Sequence, residues 1–125
     1  MAEEIKITRF TQLVAWRTAH LLVLEVYKLT ESFPKNTFSL IDQQRRSSLS
    51  ISSNIAEGFS RRNKKEKIQF YYIAKGSLTE LQNQLTVSKD LKYIEESTFN
   101  LLSEKADLIY KLINGLIYSA ETKNS

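Results

Sequence analysis

Cysteine is absent from the 125 residues. That removes disulfides, thiolate zinc sites, iron–sulfur clusters and thiol nucleophiles together. His20 is the only histidine, too few for a multi-histidine metal centre or a histidine pair sharing a proton. Three glycines and one proline do not suit a β-sandwich, a barrel or a flexible linker. The glycines also form no phosphate-cradling loop. Long apolar runs are missing too: Leu21–Leu24 spans only four residues, far short of the roughly 20 that span a bilayer. The first residues, from Met1 to Lys6, lack the basic-then-apolar layout of a secretory signal. The expectation is a cytoplasmic protein, not an enzyme, with no catalytic residues, no cofactor, no metal and no membrane association.

What is present is helical patterning. Length and a 42% apolar content suit one domain over residues 1–125 around one core. Four segments carry helical periodicity, about 11–31, 39–60, 64–91 and 95–120. Pro34 ends the first, because proline cannot continue a helix and biases Phe33 away from helical angles. Ser39, with Asp42 three residues on, is the expected cap of the second, and Asn63 with Glu66 that of the third. Short connections between long helices predict an all-α, antiparallel up-down, left-handed four-helix bundle with both termini at one end. Ser48 to Ser52 alternates as a strand would, but Ile41, Ile55 and Phe59 around it share one helical face, which favours helix. The predicted core comprises Leu13, Leu24, Ile55, Phe70, Leu78, Leu81, Leu85, Leu102, Ile109, Ile113 and Leu116.

In the last segment Phe99, Leu102, Ala106, Ile109, Ile113, Leu116 and Ala120 form a heptad seam. A second apolar row, Leu101, Leu108 and Leu112, runs beside it, interrupted by Lys105. An apolar arc this wide needs more cover than one bundle neighbour, which points to a homo-oligomer. The other reading is a closed monomer whose second row packs on an adjacent helix.

The formal net charge is +4, but it is unevenly placed. Eight basic residues between Arg45 and Lys75 face only Glu57 and Glu66, so this stretch carries +6 and the rest −2. Its densest part, Arg61, Arg62, Lys64, Lys65 and Lys67, surrounds the start of the third helix. Cations there oppose the helix macrodipole. Local stability gives no reason for them, so a phosphate site is the functional reading, for RNA or DNA. A solvated basic turn is the plain alternative. On the second helix Gln43, Arg46, Ser50, Asn54 and Glu57 recur at spacings of 3, 4, 4 and 3. They occupy one arc opposite Ile41, Ile55 and Phe59, and are expected to form a packed polar network. Gly76, inside the third helix, suggests a close backbone approach. Tyr72 is expected to be exposed, and His20 to be packed or at the surface rather than a general base.

Some of these residues resemble a known family. Phe10-x-x-Leu13-x-x-Trp16, then Phe33-Pro34, then Gln43-x-x-Arg46-x-x-x-Ser50-Ile51-x-x-Asn54-Ile55-Ala56-Glu57-Gly58, then Ala74-x-Gly76-Ser77-x-x-Glu80-Leu81 are similar to the four-helix-bundle family of the 23S ribosomal RNA intervening sequence protein. Ser47 and Ser48 stand where that family often has alanines. The resemblance implies a bacterial bundle assembled into a homopentameric ring with no known catalytic activity. A related branch, the accessory protein of diversity-generating retroelements, implies nucleic acid and a reverse transcriptase as partners. The expected function is non-catalytic RNA binding through phosphate contacts. The alternative is a protein-interaction scaffold that binds no nucleic acid.

Overall fold

The computed structural model describes residues 6–123. A 3-10 turn, Phe10–Gln12, leads into α1, Val14–Thr30. A second 3-10 turn, Lys35–Thr37, leads into α2, Phe38–Ser60; α3 spans Lys64–Asp90 and α4 spans Glu96–Thr122. No strand occurs among the described residues, and Ser48 to Ser52 lies within α2. Each helix packs on the next in sequence, and α4 also meets α1. Contacts across α2 and α3 run in opposed order, with Gly58 against Tyr71, Ser50 against Ser77 and Gln44 against Ser88. Across α3 and α4 the order is opposed again, Lys64 reaching Glu121 and Lys89 reaching Phe99.

Local chemistry sets the helix ends. The expected start near Thr11 is displaced because Leu13 is extended, with φ −70° and ψ 129°, which separates the first turn from α1. The Gln12 amide oxygen accepts from the backbone N–H groups of Thr8 and Arg9 at 2.8 and 3.0 Å and so holds that turn. Ser39 does not cap α2, which begins one residue earlier behind Thr37. Asn63 does cap α3, its side chain accepting from the Glu66 N–H at 3.1 Å. At the far end of α3 the Tyr93 N–H donates to Ser88 O and the Lys92 N–H to Lys89 O, both at 2.9 Å. This is a Schellman ending. Lys92 takes the left-handed position with φ 64°, where glycine is the usual occupant.

The core lies between the four helices. On α1 the inward residues are Ala15, Ala19, Leu22, Val23 and Val26. Leu24, expected inside, is 53% exposed; it sits two positions from both Leu22 and Val26, on the far side of the helix. Phe70 is likewise not core. Tyr71, Ala74, Leu78, Leu81 and Leu85 step by three and four and are buried, leaving Phe70 half-buried beside them. On α4 Leu102, Ala106, Ile109, Ile113 and Ile117 are buried, while Leu116 is half-buried. Gly76 meets nothing within 4 Å of an added Cβ; the close approach belongs to Gly58, where a Cβ would stand 2.6 Å from the Tyr71 ring. Of the second row, Leu101 and Leu108 are exposed and Leu112 packs against the core. Lys105 between them pairs with Glu25 of α1. No helix among the described residues is long and apolar enough to cross a membrane.

Candidate nucleic-acid interface

The α2–α3 connection, the chain's first described residues and the last turn of α4 meet at one end of the molecule. They enclose a cavity of about 670 Å³. Lys6, Arg62, Lys64, Lys67 and Lys123 contribute to its wall, together with Ile7, Leu13, Phe59, Tyr71, Leu116 and others; among the described residues no carboxylate side chain does. Lys6 and Lys123 have no sequence signal for this role. They are far apart in sequence and become neighbours of Arg62 only because the first and last described residues meet at this corner.

Several of the expected phosphate ligands already have work within the fold. Lys67 Nζ donates to the carbonyls of Gly58 and Phe59, both at 2.9 Å, in the last turn of α2. Lys64 Nζ donates to the carbonyl of Glu121 in the last turn of α4 at 2.7 Å. Cations are favoured at such carbonyl ends. Away from this corner Arg45 does the same for α1, donating to Tyr27 O at 3.3 Å and to the Thr30 hydroxyl at 2.9 Å. The expectation that local stability has no use for these cations is therefore corrected. They sit awkwardly on the start of their own helix, but they neutralise the ends of its neighbours. Arg61 pairs with Glu57 at 3.2 Å and lies 4.9 Å over the Phe70 ring. Among the described residues, Arg62 and Lys65 make no intramolecular hydrogen bond or ion pair, and both are exposed.

Electrostatics at the corner is one-sided. Burial, and then the neighbouring Lys123 charge, hold the Lys67 ammonium below its ordinary value. Its amine lies 5.3 Å from the centre of the Phe59 ring and 6.0 Å from that of Tyr71. Burial pushes the Tyr71 phenol up to about 12.

The polar stripe of α2 is divided. Ser50 and Ser77 share a hydrogen bond of 2.6 Å across the α2–α3 contact, and the Asn54 amide donates to the Ser50 carbonyl at 2.7 Å and to its hydroxyl at 3.1 Å. Gln43, Arg46 and Glu57 are exposed. Arg46 pairs with Asp42 instead of joining the serines. The deeply buried polar contact lies one position along, where Gln44 Nε2 donates to the Ser88 hydroxyl at 2.7 Å. The Oε1 atoms of Gln44 and Gln84 are buried without a hydrogen-bond partner. Their polarity conceals them in the sequence, since an amide reads as surface. Trp16 stacks on His20 with ring centres 4.7 Å apart, and Phe10 meets Trp16 edge-on at 5.1 Å. This accounts for His20 as a packed residue.

Four helices around one core, with a cavity at one end whose charged side chains are cationic, define a small all-helical protein. More particularly, the chain belongs to the 23S rRNA-intervening sequence protein family, whose model matches residues 11–115. A crystal structure of a protein of unknown function from the S23 ribosomal protein family of Bacteroides thetaiotaomicron shares the fold. Its TM-score is 0.76 at 21% sequence identity, over 83% of this chain and 98% of that one. No curated protein matches the chain in sequence.

Proposed function

We propose that this chain is a non-catalytic, cytoplasmic RNA-binding protein that contacts phosphates through its α2–α3 corner and works as a homo-oligomer. The carrying observation is the concentration of cations at that corner. Among the described residues Arg62 and Lys65 are exposed and have no internal partner, and Arg62 shares the cavity wall with Lys64, Lys67, Lys6 and Lys123. Phosphate contacts of this kind give affinity without sequence selection. The family resemblance adds a pentameric ring, in which the corner repeats in every subunit and weak contacts combine. It also raises DNA as an alternative strand and a reverse transcriptase as a protein partner. Exposed Leu21 and Leu24 of α1 and Leu101 and Leu108 of α4 support assembly, because by helical spacing they accompany the Glu25–Lys105 pair on the outer α1–α4 face.

A salt titration of single-stranded RNA binding tests the reading. Arg62→Ala combined with Lys65→Ala should lower affinity for all sequences and flatten the slope of log affinity against log salt by about 1.4, at ~0.7 per phosphate released from neutralisation. Equal slopes for the wild type and this variant would remove the phosphate site. The scaffold reading would then lead, because the helix-end role of Lys64 and Lys67 accounts for part of the basic cluster without any ligand.

A further inference from the structure

We propose that the corner cavity binds a nucleoside monophosphate, either free or as the 5′ end of an RNA strand, with phosphate on the cations and the nucleoside on the apolar floor. The second source rests on the RNA reading above; the first stands without it. Size is the first argument. The cavity, about 670 Å³, falls within the ~300–1,000 Å³ of small-molecule sites.

Charge is the second. Among the described residues five cationic side chains and no carboxylate line the cavity, and Lys67 already loses proton affinity through burial and the nearness of Lys123. A bound dianion would offset the Lys123 repulsion and favour the charged amine. The donors are also available. Lys67 uses two of its three N–H groups on Gly58 and Phe59, and Lys64 uses one on Glu121, so each retains a donor. Arg62 brings a guanidinium fork whose geometry matches two phosphate oxygens.

The floor decides what accompanies the phosphate. Ile7, Leu13, Phe59 and Leu116 offer apolar surface that inorganic phosphate would leave uncovered. Tyr71 and Ser119 place hydroxyl-bearing side chains in the same wall. A hydrocarbon tail would bury such groups without partners, whereas a base and ribose can hydrogen-bond to them. A nucleoside therefore fits this wall better than an acyl chain.

Calorimetric titration of the full chain with AMP and UMP, against adenosine, inorganic phosphate and laurate, tests the site. The monophosphates should bind at least tenfold more tightly than the other three. Lys6→Ala with Lys123→Ala, which leaves Arg62 and Lys65 of the salt-slope test in place, should weaken the monophosphates about tenfold, the loss of roughly one charge-assisted contact. Ala120→Phe fills the cavity from α4 without touching a charge. It should abolish monophosphate binding while helical content and the salt slope for a circular RNA, which has no end, stay unchanged. Tighter binding of a 5′-phosphorylated strand than of its 5′-hydroxyl counterpart assigns the RNA end; equal binding assigns the free nucleotide. Monophosphates binding no better than phosphate, preference for laurate, or full affinity in the Ala120→Phe protein would each overturn the proposal. None of those results alters the Arg62 and Lys65 slope test, so the two readings fail separately.

Discussion

Replacing Gly58 with alanine adds one methyl group where α2 packs closely on α3. The new carbon would stand 2.6 Å from Tyr71 Cε1, 2.8 Å from Tyr71 Cδ1 and 3.2 Å from the Lys67 carbonyl oxygen. Tyr71 is only 2% exposed, so its ring cannot swing aside into solvent, and the Lys67 oxygen belongs to a helix backbone. Relief must come from parting the helices or forcing the ring off its rotamer, at a cost of about 1–3 kcal/mol. Against this, alanine inside a helix gains roughly 0.5–1 kcal/mol over glycine. The net expectation is a destabilisation of about 0–2.5 kcal/mol, read as a lower urea midpoint with unchanged slope. Gly76→Ala is the internal control, because its Cβ meets nothing within 4 Å and should give the propensity gain alone. Tyr71→Leu in the Gly58→Ala background should recover part of the loss, since the atoms in conflict are gone. A Gly58→Ala protein as stable as the Gly76→Ala one would refute the steric reasoning. A destabilised Gly76→Ala protein would mean instead that a second subunit packs on that glycine.

Other positions give independent tests. Lys92→Gly should raise stability by about 1 kcal/mol, the left-handed φ of 64° being unfavourable for a residue with a Cβ; urea unfolding would show it. The Tyr71 phenol, raised from 10.0 to about 12 by burial, favours the neutral form in the fold. Its stabilisation is complete below pH 10 and is lost as pH climbs from 10 toward about 12, so Tyr71→Phe should flatten the stability profile across that window. Leu21→Asp with Leu108→Asp puts charge on two exposed residues of the outer α1–α4 face. Light scattering should report smaller particles while circular dichroism keeps its helical signal; unchanged mass would locate the subunit contact elsewhere.

The four helices were legible because their apolar residues recur at helical spacing over long stretches, and Asn63 announced its cap through Glu66 three residues on. Rotational phase was harder to read. On α3 Phe70 and Tyr71 are adjacent aromatics, and only the depth of the Gly58 contact decides that Tyr71 faces inward. On α1 Leu24 is as apolar as Leu22 and Val26, and composition alone does not place it outside. The charged corner was legible in part, as a dense basic run. Its internal partners were not, because they are backbone carbonyls of Gly58, Phe59 and Glu121, which every residue possesses and no sequence pattern marks. Lys6 and Lys123 were invisible for a topological reason: they join the corner only when segments far apart in sequence meet there.

The tethering of Lys64 and Lys67 to helix-end carbonyls bears on how the corner would receive any anion. A lysine side chain loses roughly 1.5–2 kcal/mol of rotamer freedom when it is immobilised. For these two, much of that loss accompanies folding, when Glu121, Gly58 and Phe59 take hold of the amines. An arriving phosphate meets donors already in position and with spare protons, whereas Lys65 must still be ordered on contact. The cations that look least available, because they are engaged, are thus the ones preorganised to bind.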